Sequence, residues 1–206
     1  MKPCIGLTKG RLEKQFLNYL KSFSFDVSPL VEKGRKLSVE TDQFKFIFAK
    51  GVDVATYVEY GIADLGIVGE DILLEFQPDV FDLLPLSFGQ CRFAVAGKPG
   101  HVTKGSKKMI ATKYPHVTMN YFREKGESVD IVKLEGSVEL APVLGLADAI
   151  VDIVETGTTL KENGLVILDE IQKISARVIA NRSALKVKRE ELKPLIERFQ
   201  KREVLQ

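Results

Sequence analysis

Short apolar runs alternate along this chain with stretches whose apolar residues recur every third or fourth position, and that alternation limits the fold more than any other feature. CIGLT is a strand-like run that ends at Lys9 and Gly10; Leu12, Phe16, Leu20 and Phe23 then follow at the spacing of an amphipathic helix. Phe44 to Ala49 (FKFIFA) reads as a strand, Val52 to Tyr60 as a helix stopped by Gly61, Ala63 to Gly69 (ADLGIVG) as a strand, and Glu70 to Glu75 as a helix. A second series starts near Gln90 with CRFAVAG and a Lys98-Pro99-Gly100 turn. It continues through MIATKYP, a helix over Asn120 to Lys125, VDIVKLEG, and the long run from Glu139 to Gly164. VILDEIQKISARVIAN reads as a strand-rich connection, and Leu192, Leu195, Ile196 and Phe199 give the tail a helical stripe that can pack back on the first lobe. Strands separated by helices predict an α/β protein with a largely parallel sheet.

The two series predict two lobes, residues 1–89 plus 178–206 and residues 90–177, with a ligand cleft between them. No linker rich in Pro, Gly or Ser separates them, and no internal repeat is visible in the sequence. At 206 residues with 45% apolar content, the chain can bury roughly 70% of its unfolded surface. Thirty basic residues stand against 28 acidic ones, a balance that argues against a dedicated nucleic-acid binder. The only cysteines, Cys4 and Cys91, lie in apolar strand-like runs and read as buried inert thiols, without a disulfide framework or zinc pattern. With no apolar run long enough for a signal peptide or membrane span, the expected location is the cytoplasm.

The stretch from Asp148 to Gly164, DAIVDIVETGTTLKENG, carries the most chemistry. An apolar strand bearing Asp152 breaks into Glu155, Thr156, Gly157, Thr158 and Thr159 and enters a helix at Leu160. A phosphate monoester needs several convergent donors and a positive local field. Backbone N–H groups at a loop-to-helix junction supply both, together with threonine hydroxyls. Gly157 admits close backbone approach, and charge-assisted hydrogen bonds are worth roughly 1.5–3 kcal/mol each. Asp152, four residues before Thr156, is expected at the strand end, where its carboxylate can accept from ribose hydroxyls. The plain alternative is an ordinary helix start capped by Thr158 or Thr159. Strand, acid and glycine together favour phosphate binding.

DIVETGTTLKENGL resembles the phosphoribosyl-binding signature of the ATP phosphoribosyltransferase family, the first enzymes of histidine biosynthesis. The likeness covers nearly the whole chain, through GLTKGRL, EKGRKL, AKGVDVATYVEYGIADLGIVGED, ATKYP and LEGSVELAPVLGLADAIVDIVETG in matching order. The chain resembles the short catalytic form, which lacks the long form's histidine-binding regulatory domain. The resemblance implies a two-lobed fold like that of type II periplasmic binding proteins, and transfer of a phosphoribosyl group from phosphoribosyl pyrophosphate to N1 of ATP. It further implies substrate-bound magnesium, a regulatory subunit related to histidyl-tRNA synthetase, and a homodimer within a hetero-oligomer. Two positions depart from the family pattern. Glu155 stands where many members carry serine, and Gly51 follows Lys50 where proline is expected, which should loosen that turn.

On this resemblance Lys9 and Arg11 grip pyrophosphate or triphosphate, assisted by helix N-terminal amides, with Arg35 and Lys50 in similar roles. Asp152, Glu155, Thr156, Gly157, Thr158, Thr159 and Leu160 form the phosphoribosyl site, joined by Glu139. Gly69, Lys113, Gly136 and Ser137 are further candidates at the cleft. Asp64 and Gly66 resemble a turn facing the cleft, although Asp64 equally reads as a strand-start cap. His101 and His116 read as surface-loop residues. There is no serine–histidine–acid set and no Walker loop, so ATP is expected to act as nucleophile and not as phosphoryl donor. A competing reading is a non-catalytic two-lobed binder of small molecules.

Overall fold

The computed structural model describes residues 2–100 and 107–204; His101 lies outside them. The chain divides into two units, one holding the residues up to Gly89 and from Ser175 onward, the other Gln90–Ile174.

The first unit begins with β1 (Cys4–Thr8), α1 (Arg11–Lys21) and α2 (Ser28–Val31). It continues with β2 (Ser38–Glu40), β3 (Lys45–Ala49), α3 (Gly51–Glu59), β4 (Leu65–Gly69), α4 (Glu70–Phe76) and β5 (Phe81–Pro85). The second unit runs through β6 (Cys91–Gly97), β7 (Lys108–Thr112), α5 (Pro115–Glu124), β8 (Val129–Lys133), α6 (Leu140–Leu144), β9 (Ala149–Val154), α7 (Thr158–Glu162) and β10 (Val166–Ile174). The chain then returns to the first unit with β11 (Ala176–Ala180), α8 (Ala184–Val187) and α9 (Arg189–Val204).

The return comes slightly earlier than residue 178, because β11 pairs along its length with β4 and with β5. What reads in sequence as one strand-rich connection is therefore two strands, β10 in one sheet and β11 in the other. The sheets are also more mixed than expected. The first has the order β2-β3-β1-β4-β11-β5 and the second β10-β6-β9-β7-β8. Parallel pairing joins only β3, β1 and β4 in the first and β9, β7 and β8 in the second; the pairs β2–β3, β4–β11, β11–β5, β10–β6 and β6–β9 are antiparallel.

Period-two alternation sorts the first sheet's side chains between two cores. Ile5, Leu7, Phe46, Phe48, Leu65 and Ile67 pack with Phe16 and Leu20 of α1 and with Leu192, Leu195 and Phe199 of α9, so the tail does close this core. On the other face Cys4 and Val68 meet Val54, Ala55 and Val58 of α3. Gly6 and Gly66 explain how closely that helix sits: a Cβ would lie 2.9 Å from Val54 Cγ1 at Gly6 and 2.8 Å from Val58 Cγ2 at Gly66. Gly66 is thus a mid-strand packing residue and not part of a turn. Asp64, 6% exposed, accepts from Cys4 N–H at 2.7 Å and from Lys188 Nζ at 2.8 Å. It anchors the starts of β1 and β4, as its strand-cap reading holds. Cys4 is buried and burial pushes its thiol pKa up, whereas Cys91 is only half-buried.

In the second unit Ala94, Ala96, Ala111, Ile150 and Val154 pack against Val138, Ala141, Leu160 and Leu165. The opposite face carries α5, where Phe93 and Tyr114 stack edge-to-face at 4.9 Å. Helix α5 starts earlier than expected because Pro115 takes its first turn. His116 belongs to that helix and not to a loop, with its Nε2 2.9 Å from Asn120 Nδ2.

Candidate functional site

In each sheet the parallel strands deliver their carboxyl ends, and the turns after them, to one edge, the usual place for ligands in open α/β sheets. The candidate residues fall on these two edges. On the second unit's edge, β9 ends at Val154; Glu155 and Thr156 are exposed, and α7 begins at Thr158. Gly157 is its N-cap, left-handed at φ 79°, ψ 5°, and no side chain caps the helix in the usual way. The expected caps Thr158 and Thr159 therefore do not act as such. Instead Thr158 N–H donates to Thr156 Oγ1 at 3.3 Å, and the Thr156 and Thr158 hydroxyls are 3.0 Å apart. The first turn of any α-helix leaves N–H groups without intrahelical acceptors. Here the first in-helix bond is Lys161 N–H to Gly157 O at 3.1 Å. The Thr159 and Leu160 amides and two hydroxyls thus stand on one exposed turn, while the Leu160 side chain is buried and pins the turn to the core.

Asp152 lies further back than the sequence suggests. It is the fourth residue of β9, paired with Ala94, half-buried, and its Oδ1 accepts from Ile153 N–H at 2.8 Å. By strand parity it shares the face of Ile150 and Val154, the face α7 covers. Glu155 is exposed.

The neighbouring parallel strands bring other candidates to this edge. Lys113 directly follows β7, is exposed, and has its ammonium 5.8 Å from the Tyr114 ring centroid. After β8 come Gly136 and Ser137, with Ser137 at φ 47°, a conformation uncommon outside glycine. Glu139 takes the N-cap position of α6, half-buried, without a side-chain cap hydrogen bond. The salt bridge that would explain it structurally is not formed among the described residues.

The first unit's edge has a different character. β1 turns through Lys9 and Gly10 into α1, with Lys9 N–H donating to Ala49 O at 2.9 Å. Gly10 sits at φ 94°, ψ −128°, a region essentially restricted to glycine. Lys9, Arg11 and Lys50 are exposed around this turn. Arg35 arrives from the segment before β2: Phe48 N–H donates to Leu37 O at 2.9 Å, which ties that segment to the end of β3. Lys33, which the sequence did not single out, stabilises the segment. Its ammonium is 3.1 Å from Glu13 of α1 and 4.6 Å from the Phe48 ring centroid. Gly51 opens α3 at its first position, a place that proline also accepts; Lys50 before it is extended at φ −67°, ψ 154°. Gly69 caps α4 at the end of β4, and a Cβ there would lie 2.1 Å from Asp71 Oδ1.

Among the described residues no group of three or more His, Cys, Asp or Glu could hold a metal ion. No helix among them is long and apolar enough to cross a membrane.

The ATP phosphoribosyltransferase family profile matches residues 50–201. An ATP phosphoribosyltransferase of Bacillus cereus (strain AH187) is 56% identical over 196 residues, covering 93% of this chain and 92% of the relative. One of Bacillus anthracis has the same identity and coverage. Among solved structures, the ATP phosphoribosyl transferase (HisG:HisZ) complex from Thermotoga maritima contains a chain similar at TM-score 0.83 and 38% identity, with 97% of both chains covered. The periplasmic aliphatic sulphonate binding protein SsuA from Escherichia coli aligns at TM-score 0.64 and 16% identity, over 97% of this chain and 72% of that one, a likeness of fold alone. A profile covering most of the sequence and relatives at this identity over nearly its full length lead to one conclusion: this chain belongs to the ATP phosphoribosyltransferase family.

Proposed function

We propose that the chain transfers the 5-phosphoribosyl group from phosphoribosyl pyrophosphate to N1 of ATP, releasing pyrophosphate as the first step of histidine biosynthesis. The observation that carries this reading is the β9–α7 turn, where exposed amides and hydroxyls cluster at a strand's carboxyl end, in a member of this family. The Thr156–Leu160 turn takes the donor's 5-phosphate. Asp152 and Glu139 are assigned to the ribose hydroxyls, and Gly136, Ser137 and Lys113 shape the same edge. Lys9, Arg11, Arg35 and Lys50 are assigned to the polyphosphates.

In the reaction the lone pair of adenine N1 forms a bond to C1′ while the bond from C1′ to the pyrophosphate oxygen breaks. The electron pair leaves with pyrophosphate and C1′ inverts. Positive charge develops on the ribosyl carbon and negative charge on the leaving group, so catalysis rests on alignment and on cations placed where the negative charge grows. No general base is required, because N1 attacks through a free lone pair. Magnesium enters as the salt of the polyphosphate substrates.

The structural likeness to a chain solved as a HisG:HisZ complex supports a working assembly in which this chain forms a homodimer with a regulatory subunit related to histidyl-tRNA synthetase. The proposed location is the cytoplasm. The test is to mix the chain and its matched regulatory subunit with ATP, phosphoribosyl pyrophosphate and magnesium. Phosphoribosyl-ATP and pyrophosphate should appear in equal amounts. If the donor binds and no product forms, the non-catalytic binder takes precedence.

A further inference from the structure

The two units share a plan that their sequences hide. β3-β1-β4-β11 in the first sheet corresponds to β8-β7-β9-β6 in the second, three parallel strands followed by an antiparallel one in each case. The central parallel strand, β1 or β7, ends in both units on a threonine followed by a lysine: Thr8-Lys9 and Thr112-Lys113. In both, the threonine hydroxyl reaches the next parallel strand. Thr8 Oγ1 donates to Ile67 O at 2.8 Å, and Thr112 Oγ1 donates to Val151 O at 2.7 Å. The backbone pairing β1–β4 stops at Leu7 opposite Ile67, and β7–β9 stops at Thr112 opposite Val151. A side-chain hydroxyl thus takes over where the ladder runs out. The third strand is tied at the same level in each unit, by Lys9 N–H to Ala49 O at 2.9 Å and by Leu134 N–H to Thr112 O at 3.0 Å.

Thr112 is fully buried and does more than a fold requires of a strand end. Its hydroxyl also accepts from Tyr114 N–H at 2.9 Å and lies 3.2 Å from Thr118 Oγ1. It therefore sets both the backbone that leaves β7 through Lys113 and the plane of the Val151–Asp152 peptide. We propose that Thr112 and Thr8 are positioning residues for phosphoribosyl transfer, each bonding a mid-strand carbonyl of the neighbouring strand, Val151 or Ile67, at the level where its own lysine leaves the sheet. The proposal rests on the assignment of the 156–160 turn and Asp152 to the donor and of Lys9 to pyrophosphate.

The experiment uses the full chain with its regulatory subunit and compares Thr112→Val, Thr112→Ser, Thr8→Val and Thr8→Ser in steady-state kinetics and thermal unfolding. Valine keeps the shape and removes the hydroxyl; serine keeps the hydroxyl. Thr112→Val should raise the donor KM about tenfold, the effect of losing its hydrogen bond to Val151 O on the strand that carries Asp152, with kcat and the ATP KM within about twofold. Thr8→Val should instead lower kcat severalfold, and each serine variant should recover most of its loss. A Thr112→Val enzyme with unchanged donor KM, or a serine variant no better than valine, overturns the proposal. If Thr112→Val does not fold, the Thr8 pair decides, since that hydroxyl makes a single hydrogen bond at a half-buried position. Failure of the unsubstituted complex to form phosphoribosyl-ATP would instead reject the parent assignment, so the two failures are distinct.

Discussion

The β1–α1 and β9–α7 junctions have the same outline, strand to glycine turn to helix, yet they offer different chemistry. The first leads into an eleven-residue helix whose Phe16 and Leu20 are buried, and it is flanked by Lys9 and Arg11. The second leads into a five-residue helix held by Leu160, carries hydroxyls in place of cations, and has Asp152 and Glu155 just upstream. A polyphosphate bears several charges and is held best by mobile cations. A phosphate monoester attached to a sugar needs fixed neutral donors with a carboxylate nearby for the diol. The glycines differ too. Gly10, at φ 94° and ψ −128°, has a conformation that excludes side chains although a Cβ would meet nothing within 4 Å, whereas Gly157, at φ 79° and ψ 5°, is ordinary left-handed backbone.

The largest effect that would sharpen this contrast is on turnover. Lys9→Ala should lower kcat about 10²–10³-fold with the donor KM changed far less, read from pyrophosphate release. A pure KM effect would move Lys9 out of the leaving-group role. Next, Thr156→Ala with Gly157→Ala should raise the donor KM by about 10–100-fold, as expected for two or three lost hydrogen bonds, and leave the ATP KM alone. An ATP effect of equal size would break the assignment of different anions to the two junctions. Smaller and purely structural, Gly10→Ala should cost about 1–3 kcal/mol in denaturant unfolding, and Gly157→Asn less than about 1 kcal/mol, since asparagine tolerates the left-handed region. Equal losses would show that the two turns are not conformationally distinct.

The smallest effect lies away from both junctions, where Asp169 of β10 bonds Lys125 and Tyr121 of α5. The hydrogen bond from Lys125, and then that from Tyr121, hold the Asp169 carboxyl below its ordinary range. Because the folded pKa is depressed, its stabilisation is present above the unfolded value of 3.8 and is lost as pH falls below it. Asp169→Asn should therefore lower the melting temperature slightly at neutral pH and not below that range. A melting difference that persists in acid would contradict the cause assigned. Exposed pairs of this kind contribute little to stability.

Much of the fold is legible in apolar periodicity. The stripe Leu12, Phe16, Leu20 is α1, and Leu192, Leu195 and Phe199 face the first core from α9. The edge strand β2 is missed because three residues, Ser38–Glu40, give too little periodicity to register. The mixed strand directions are missed because β11 looks like any parallel strand until its partner is known. In the candidate site, the Asp152 and Thr156–Leu160 pattern is readable because its residues lie within a few positions of one another on one strand-to-helix turn. Gly66 misleads, since a glycine beneath a close-packed helix looks in sequence like a glycine in a turn. Lys33, Thr8 and Thr112 are silent because their partners, Glu13 with Phe48, Ile67 and Val151, are set by strand order.

By itself the sequence determined the α/β class, the helix faces and the residue types of the β9–α7 turn, because these depend on residues within a few positions of one another. Tertiary structure alone decided which strands lie side by side, that Asp64 anchors two strand starts and Asp152 sits inside β9, and that two Thr-Lys pairs occupy equivalent strand ends. Those are relations between segments distant along the chain. Hydrogen-bond geometry and burial, which exist only once the sheets have formed, are what select them.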